Sequence, residues 1–583
     1  MTALSPPRPR AWRALRGRGA LLGILLWAPP LAFLAIFYFY PLLSIIQVSL
    51  ARGPGGLAQP LLEALASPSI RRVLWFTIWQ AAASTALTLL VGLPGAYLLA
   101  RYQFRGKSLL RALTAIPFVL PTLVVATAFS ALLGPRGWVN LALMEFFNLS
   151  SPPLRVLHTV GAILLAHVFY NTTIVLRMVG DFWSHLDPRL AAAARVLGAN
   201  RWQTLRRVVL PLLMPAILTA ALLVFIFDFT SFGVILVLGG PRYATLEVEI
   251  YYQTISLFNL PTAAALSLLQ LACTLGLTVL YTRLASRLQR PLPLAAAART
   301  QRPPLTWRSR LFVGALVAFL LILLVSPLAA LAARSFARLE PDRGQRAPIR
   351  PGLTLEFYRS LWESRRESLA YVTPVTAVGI SLGYATATAA LSLALGLPAA
   401  WGLARRPAGP FQRLLDPLLM LPLGTSAVTL GLGFILALDT PPLDLRASPA
   451  LIPLAHTLVA FPFVVRSLTP ALRSIRPRLR QAAYVLGVPP WQAILKVDLP
   501  LVGRAVLVGA SFAFAISLGE FGATALIARP EFPTLPVLIY RFLSQPGGLN
   551  YGMALALSTI LMVITGGAIL AIERFRLARI GEF

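Results

Sequence analysis

The chain has 583 residues, 57% of them hydrophobic and 12% charged, against about 25% charged in an ordinary soluble protein, so a water-facing exterior of the usual kind is excluded. Its 52 Lys+Arg against 20 Asp+Glu leave a net charge of +32, which suits nucleic acid, anionic lipid or an acidic partner until the charges are placed. The single cysteine, Cys273, excludes a disulfide framework and a cysteine-based zinc site, and the four histidines show no metal-ligand spacing.

Residues 1–19 carry five arginines and no acid, and an apolar run follows from Ala20 to Leu50. It is too long for the apolar region of a signal peptide and lacks a small-residue cleavage site, so it predicts an uncleaved first span. Further apolar runs lie near 73–100, 112–134, 158–180, 212–238 and 261–284, then near 311–334, 373–403, 414–438, 449–468, 501–527 and 549–572. At about 20 residues per crossing these predict twelve transmembrane helices, six in a first half (1–284) and six in a second (311–583). Between them, Arg283 to Arg310 holds seven arginines, no acid and the breakers Pro291, Pro293, Pro303 and Pro304. Residues 285–310 therefore read as a linker.

Alternate loops are basic: Arg101, Arg105, Lys107 and Arg111; then Arg189, Arg195, Arg201, Arg206 and Arg207; later Arg405, Arg406 and Arg413; then Arg473, Arg476, Arg478 and Arg480. The positive-inside rule puts those loops, the linker and both termini in the cytoplasm. The charge is then mainly topology and contact with an anionic leaflet, and with no basic soluble domain to carry it, nucleic-acid binding is not expected.

A direct repeat runs through the chain. Residues 188–212, PRLAAAARVLGANRWQTLRRVVLPL, and 477–501, PRLRQAAYVLGVPPWQAILKVDLPL, are identical at 14 of 25 positions without a gap. The same offset of 289 pairs His167 with His456, Arg177 with Arg466, Phe232–Gly233 with Phe521–Gly522, and Tyr251 with Tyr540; upstream, VGLPGAYLLAR (91–101) echoes LGLPAAWGLAR (395–405). Six spans separate the copies, and an even number returns the second copy to the same face. The expected fold is thus an all-α membrane protein of two parallel six-helix repeats with a pseudo-twofold axis along the membrane normal.

The most repeated stretch is a loop, expected at 182–211 and 469–500. Its alanines favour a short helix. Gly198 and Gly487 end that helix in a left-handed conformation, Trp202 and Trp491 follow, and Leu210–Pro211 and Leu499–Pro500 open the next span. Two ordered loops of one kind suggest docking of a two-fold partner; a surface helix anchored by its tryptophan is the plainer alternative.

The pattern Ala193-Ala194-x3-Gly198-x9-Val208-x-Leu210-Pro211, repeated as Ala482-Ala483-x3-Gly487-x9-Val497-x-Leu499-Pro500, resembles the EAA loop of binding-protein-dependent ABC importer permeases. It departs at the leading glutamate, which is Ala192 in one copy and Gln481 in the other. The resemblance implies the type I ABC importer permease fold in the bacterial inner membrane, with each loop acting as a coupling helix on one of two cytoplasmic ATPase subunits. It also implies a periplasmic or lipid-anchored substrate-binding protein. Two fused halves in one chain are similar to the thiamine and ferric-iron permease types. TLEVEIYYQ (245–253) and ISLGEFGATALIARPEFPTLPVLIY (516–540) look closest to the thiamine type, which makes thiamine or its phosphate ester the expected substrate and ferric iron the alternative.

Charged groups within spans are functional candidates. Asp228, 17 residues beyond Pro211 and so about 25 Å along a helix, and Glu520 at a similar depth in the second copy are candidates for the path of a cation; each is otherwise an acid hydrogen-bonded to a neighbouring helix. His167 and His456 are also path candidates, with interhelical hydrogen bonding the plainer role. Gly106-Lys107-Ser108 ends like a phosphate loop, but the position of its first glycine is Arg101. ATP is therefore expected to be hydrolysed by another chain, with no catalytic residue, metal or cofactor here. A secondary transporter with parallel repeats is the rival class; it requires buried ion ligands on broken helices.

Overall fold

The computed structural model describes residues 26–50, 58–288, 300–338, 352–363, 372–405, 410–439, 441 and 443–577. The segment at 1–25, the middle of the linker (289–299) and the greater part of the stretch between the apolar runs at 311–334 and 373–403 lie outside the described residues. Among the described residues the secondary structure is helical, apart from two isolated bridges, Tyr102 with Arg302 and Ala337 with Leu353. Among the described residues eleven helices are long and apolar enough to cross a membrane, and a bent pair of helices makes twelve when it is counted as one span.

The first half contributes Leu26–Leu50, Pro68–Arg101, Thr122–Phe147, Val160–His185, Arg201–Phe229 and Leu260–Leu284. The second contributes Trp307–Ser335, Pro374–Ala404, the bent pair, Leu451–Arg473, Trp491–Gly519 and Gly548–Leu570. The third span of each half departs from a simple helix. In the first copy Pro117 and Pro121 divide the expected run at 112–134 into Lys107–Leu113, Ile116–Val119 and Thr122–Leu133. In the second, Leu415–Gly424 and Ala427–Ala437 meet at 96°. A proline removes a backbone donor and clashes with the preceding turn, so the helix breaks where hydropathy alone reads one continuous span.

Contacts between helices reproduce the repeat. A Cβ on Gly92 would lie 2.7 Å from the Val175 side chain, and one on Gly396 would lie 2.7 Å from that of Val464. These are the same two positions in the two copies, on the second and fourth spans of one half and the eighth and tenth of the other. Small residues let helices approach where lipid supplies no hydrophobic drive between them. The hydrogen bonds repeat too: Leu246 N donates to Thr77 Oγ1 at 3.0 Å and Leu535 N to Ser381 Oγ at 2.8 Å.

The chain forms two compact units, and each draws on both sequence halves. The larger comprises residues 45–382, 424–435 and 518–583. In it the seventh span packs on the first copy, with Val313 and Leu320 joining Leu98, Leu99, Leu110 and Leu176 in one apolar cluster. The end of the linker leads there: Arg302 N donates to Arg101 O at 3.0 Å, Gln103 N to Arg302 O at 3.0 Å, and Thr300 Oγ1 to Ser184 O at 2.6 Å. The smaller unit comprises residues 1–44, 383–423 and 436–517. In it the first span reaches the second copy, and the Trp27 ring lies where a Cβ on Gly402 would come within 2.6 Å.

Candidate functional site: two matched loops and a line of buried polar groups

The two motif loops have the same backbone for the same reason. Pro188–Val196 and Pro477–Val485 are nine-residue helices that begin on proline, where its missing N–H costs nothing. Each ends in a left-handed glycine, Gly198 at φ +89° and Gly487 at φ +79°. The glycine N–H donates to Arg195 O or Tyr484 O, and the next residue's N–H donates to Ala194 O or Ala483 O, each at 3.0 Å. That paired closure is a Schellman motif. It accounts for the motif spacing: the second alanine supplies the last captured carbonyl, and the glycine four residues on is the one residue that adopts the positive φ without strain.

A short turn, Arg201–Thr204 or Pro490–Ala493, then runs through one π-helical turn, Leu205–Val209 or Ile494–Asp498, into the fifth or eleventh span. Pro211 and Pro500 occupy the first α-helical turn of those spans, as the sequence predicts. The π turn sits where the proline would otherwise leave an unmatched carbonyl.

At the tip of each loop the apolar side chains are out in the open. Val196 and Leu197 are each 87% exposed, and Val485 and Leu486 are 87% and 82% exposed. Trp202 and Trp491 are exposed beside them; Ala193 and Ala482 are also exposed, while Ala194 is half-buried and Ala483 buried. Contiguous exposed apolar groups on an ordered turn are the mark of a docking surface.

The interiors of the loops differ. Val209 is buried in the first, in an apolar cluster that includes Trp183, Leu186, Leu213, Tyr97 and Ala191. Its counterpart is Asp498, also buried. Asp498 Oδ1 accepts from Arg480 Nε at 2.7 Å and its Oδ2 from Trp401 Nε1 at 2.8 Å. Arg480 stands where the first copy has Ala191, and Trp401 where it has Tyr97.

The candidate path residues are all buried. Asp228 Oδ1 accepts from Asn171 Nδ2 at 2.7 Å and lies 3.4 Å from His167 Nδ1. His167 also meets Ser84 Oγ at 3.0 Å and Ser231 Oγ at 2.9 Å. In the second copy His456 Nδ1 lies 2.7 Å from Ser517 Oγ, which donates to Thr388 Oγ1 at 3.2 Å. The repeat register therefore sets Ser517, not Glu520, opposite Asp228. Glu520 aligns with Ser231 and turns its carboxylate onto the start of the helix Thr524–Ile527, accepting from Ala523 N at 2.8 Å and Thr524 N at 3.1 Å. Both histidines thus sit in interhelical hydrogen-bond networks, while the two acids have unlike surroundings.

Two features were present in the sequence without a role attached. Phe232 and Phe521 stack with centroids 5.4 Å apart, a contact that equal positions in a repeat invite one to test. Glu247 is buried, with Oε1 accepting from Gln270 Nε2 at 2.9 Å and Oε2 from Ser426 Oγ at 2.5 Å. Sequence alone places it in a loop, because the hydropathy between the fifth and sixth spans does not show that 233–256 folds back into the protein.

Membrane-crossing helices, paired halves and a repeated loop of one backbone are the frame of a transport permease. Residues 92–290 and 392–578 match the family of binding-protein-dependent transport system inner membrane components, and the chain belongs to it. It is a multi-pass inner-membrane transport subunit, its ATPase is a separate subunit, and its family implies that ATPase and a substrate-binding protein as partners. It is 28% identical over 500 residues to the thiamine transport system permease protein ThiP of Escherichia coli K12, covering 84% of this chain and 88% of that one. To the protein of that name in Brucella abortus strain 2308 it is 29% identical over 515 residues, covering 87% and 88%. Among solved structures, a chain of a bacterial ABC transporter that imports the acidic polysaccharide alginate aligns with 48% of this chain and 100% of its own, at 20% identity and a TM-score of 0.39.

Proposed function

We propose that the chain forms the translocation path of a thiamine importer and is driven through its two matched loops by two copies of a cytoplasmic ATPase. The carrying observation for coupling is the pair of Schellman-closed helices, each presenting an open apolar tip. A two-fold ATPase dimer requires two such handles of one shape. The basic loops support a cytoplasmic position for both handles and both termini. Substrate arrives from a binding protein on the opposite side, and closure of the ATPase pair pulls the handles so that the repeats rock between inward- and outward-open states. For the substrate, the support is the likeness to thiamine permeases along most of the chain.

The test is reconstitution of the purified permease with its ATPase and binding protein in liposomes. ATP-dependent uptake of labelled thiamine, inhibited by excess unlabelled thiamine and indifferent to ferric iron, supports the reading. Uptake of ferric iron instead replaces the substrate, and recovery of the permease without an ATPase at two copies per chain overturns the coupling.

A further inference from the structure

Four aromatic rings, two from each copy of the repeat, meet in one line. Phe232 and Phe521 are equivalent positions, and their rings stack at 5.4 Å with planes 24° apart. Each is backed by a tyrosine of its own copy, Tyr251 at 5.4 Å from Phe232 and Tyr540 at 5.5 Å from Phe521. Equivalent residues touch one another only where a local two-fold axis passes between them, so this stack marks a local two-fold between the segments around Phe232 and Phe521. It lies just past Phe229 and Gly519, where the fifth and eleventh spans end. The 20-residue helix Leu210–Phe229 puts about 30 Å between it and the docking loop.

Glu247 and Tyr251 are four residues apart on the helix Leu246–Tyr251 and so share one face. The Glu247 counterpart in the second copy is Pro536, so this acid belongs to the first copy alone. No arginine or lysine among the described residues pairs with it; its partners are Gln270 and Ser426. Gln270 Oε1 and Thr429 Oγ1, three residues from Ser426, are buried without a hydrogen-bond partner. An ionised buried acid without a cation is expensive in a membrane protein, and arrival of a cation lowers that cost.

We propose that the Phe232–Phe521 stack is the gate across the path, and that Glu247 with the faces of Tyr251 and Tyr540 forms the site for a planar, positively charged ring that passes when the stack parts. Aromatic faces attract a cation through the ring quadrupole, and the carboxyl ionises as opening brings water or the ligand to it. The ring assignment rests on the importer reading above; the gate does not depend on which substrate is carried.

Two measurements on the full transporter test the two parts. In a Cys273→Ser background, Phe232→Cys with Phe521→Cys should cross-link under oxidation in the nucleotide-free complex, and the product should fall to background when the ATPase is trapped with ATP and vanadate. Equal cross-linking in both states overturns the gate. Glu247→Gln should raise the KM for thiamine uptake about 10-fold, the scale of one desolvated cation–aromatic or charge contact. ATP hydrolysis should persist and Glu247→Asp should recover part of the affinity. An unchanged KM overturns the site. A mutant that loses assembly, with Glu247→Asp no better, shows a structural role and also overturns it. If the unmodified transporter ignores thiamine while the cross-link still answers to nucleotide, the gate stands and the cationic-ring assignment falls.

Discussion

The two motif loops share a backbone and differ in what holds it. Both start on proline, close on a left-handed glycine and enter the membrane through a π turn. Beneath the first lies an apolar cluster around Val209; beneath the second, Asp498 joins Arg480 and Trp401. The entry turn differs as well. Asn200 and Gln203 cap one another's backbone N–H groups at 2.8 and 3.0 Å, whereas the second loop has Pro489 and Pro490 there. The outward surface is thus kept while the inward support is exchanged as a set. Ala191, Val209 and Tyr97 in one copy become Arg480, Asp498 and Trp401 in the other, since a buried acid is tolerable only with its donors beside it.

The largest effect should come from crossing the two supports. Val209→Asp places an unpartnered carboxylate in the apolar cluster and should cost about 3–5 kcal/mol, read as thermal unfolding of the purified permease in detergent. Asp498→Val strands the Arg480 guanidinium and should cost about 3 kcal/mol, while Arg480→Ala together with Asp498→Val should return to within about 1 kcal/mol of the original. A double variant as weak as the single one would show that Asp498 matters for something other than Arg480.

Next in size, Gly198→Val and Gly487→Val force a β-branched residue to a positive φ at about 1–2 kcal/mol each. An added Cβ at either glycine meets no atom within 4 Å, so the two costs should agree, and ATP-driven uptake should fall with insertion into the membrane unchanged. Unequal costs would locate a difference between the loops in the backbone itself. Smaller again, Asn200→Ala removes the first loop's cap and should cost about 1 kcal/mol. The smallest is Trp401→Phe, which takes one of the donors from Asp498 at about 1 kcal/mol or less; a loss as large as that from Asp498→Val would make the indole, not the guanidinium, the main support.

Much of this was open to sequence reading because repetition makes each half a control for the other. The 25-residue match fixed the loops, and the parity of crossings gave the parallel repeat. The Ala-x3-Gly spacing foretold a helix closed by a left-handed glycine, since few residues adopt that conformation. The breaks in the third and ninth spans were less legible, because a hydropathy window sums over prolines that a helix cannot pass over. Asp228 and Glu520 lie at a similar depth but three residues apart in the repeat register, which aligns Asp228 with Ser517; that Glu520 turns its carboxylate onto the start of a helix was not legible.

By itself, then, the sequence determined that the chain is a doubled membrane bundle with two matched loops, because apolar length and repeat spacing are one-dimensional quantities. Only the tertiary structure decided that each compact unit draws helices from both halves, that Phe232 meets Phe521, and that Glu247 is enclosed with Gln270 and Ser426. Those are contacts between residues far apart along the chain. They depend on which helix faces meet once the bundle is packed, and that is set by small residues and side-chain shape along every span together.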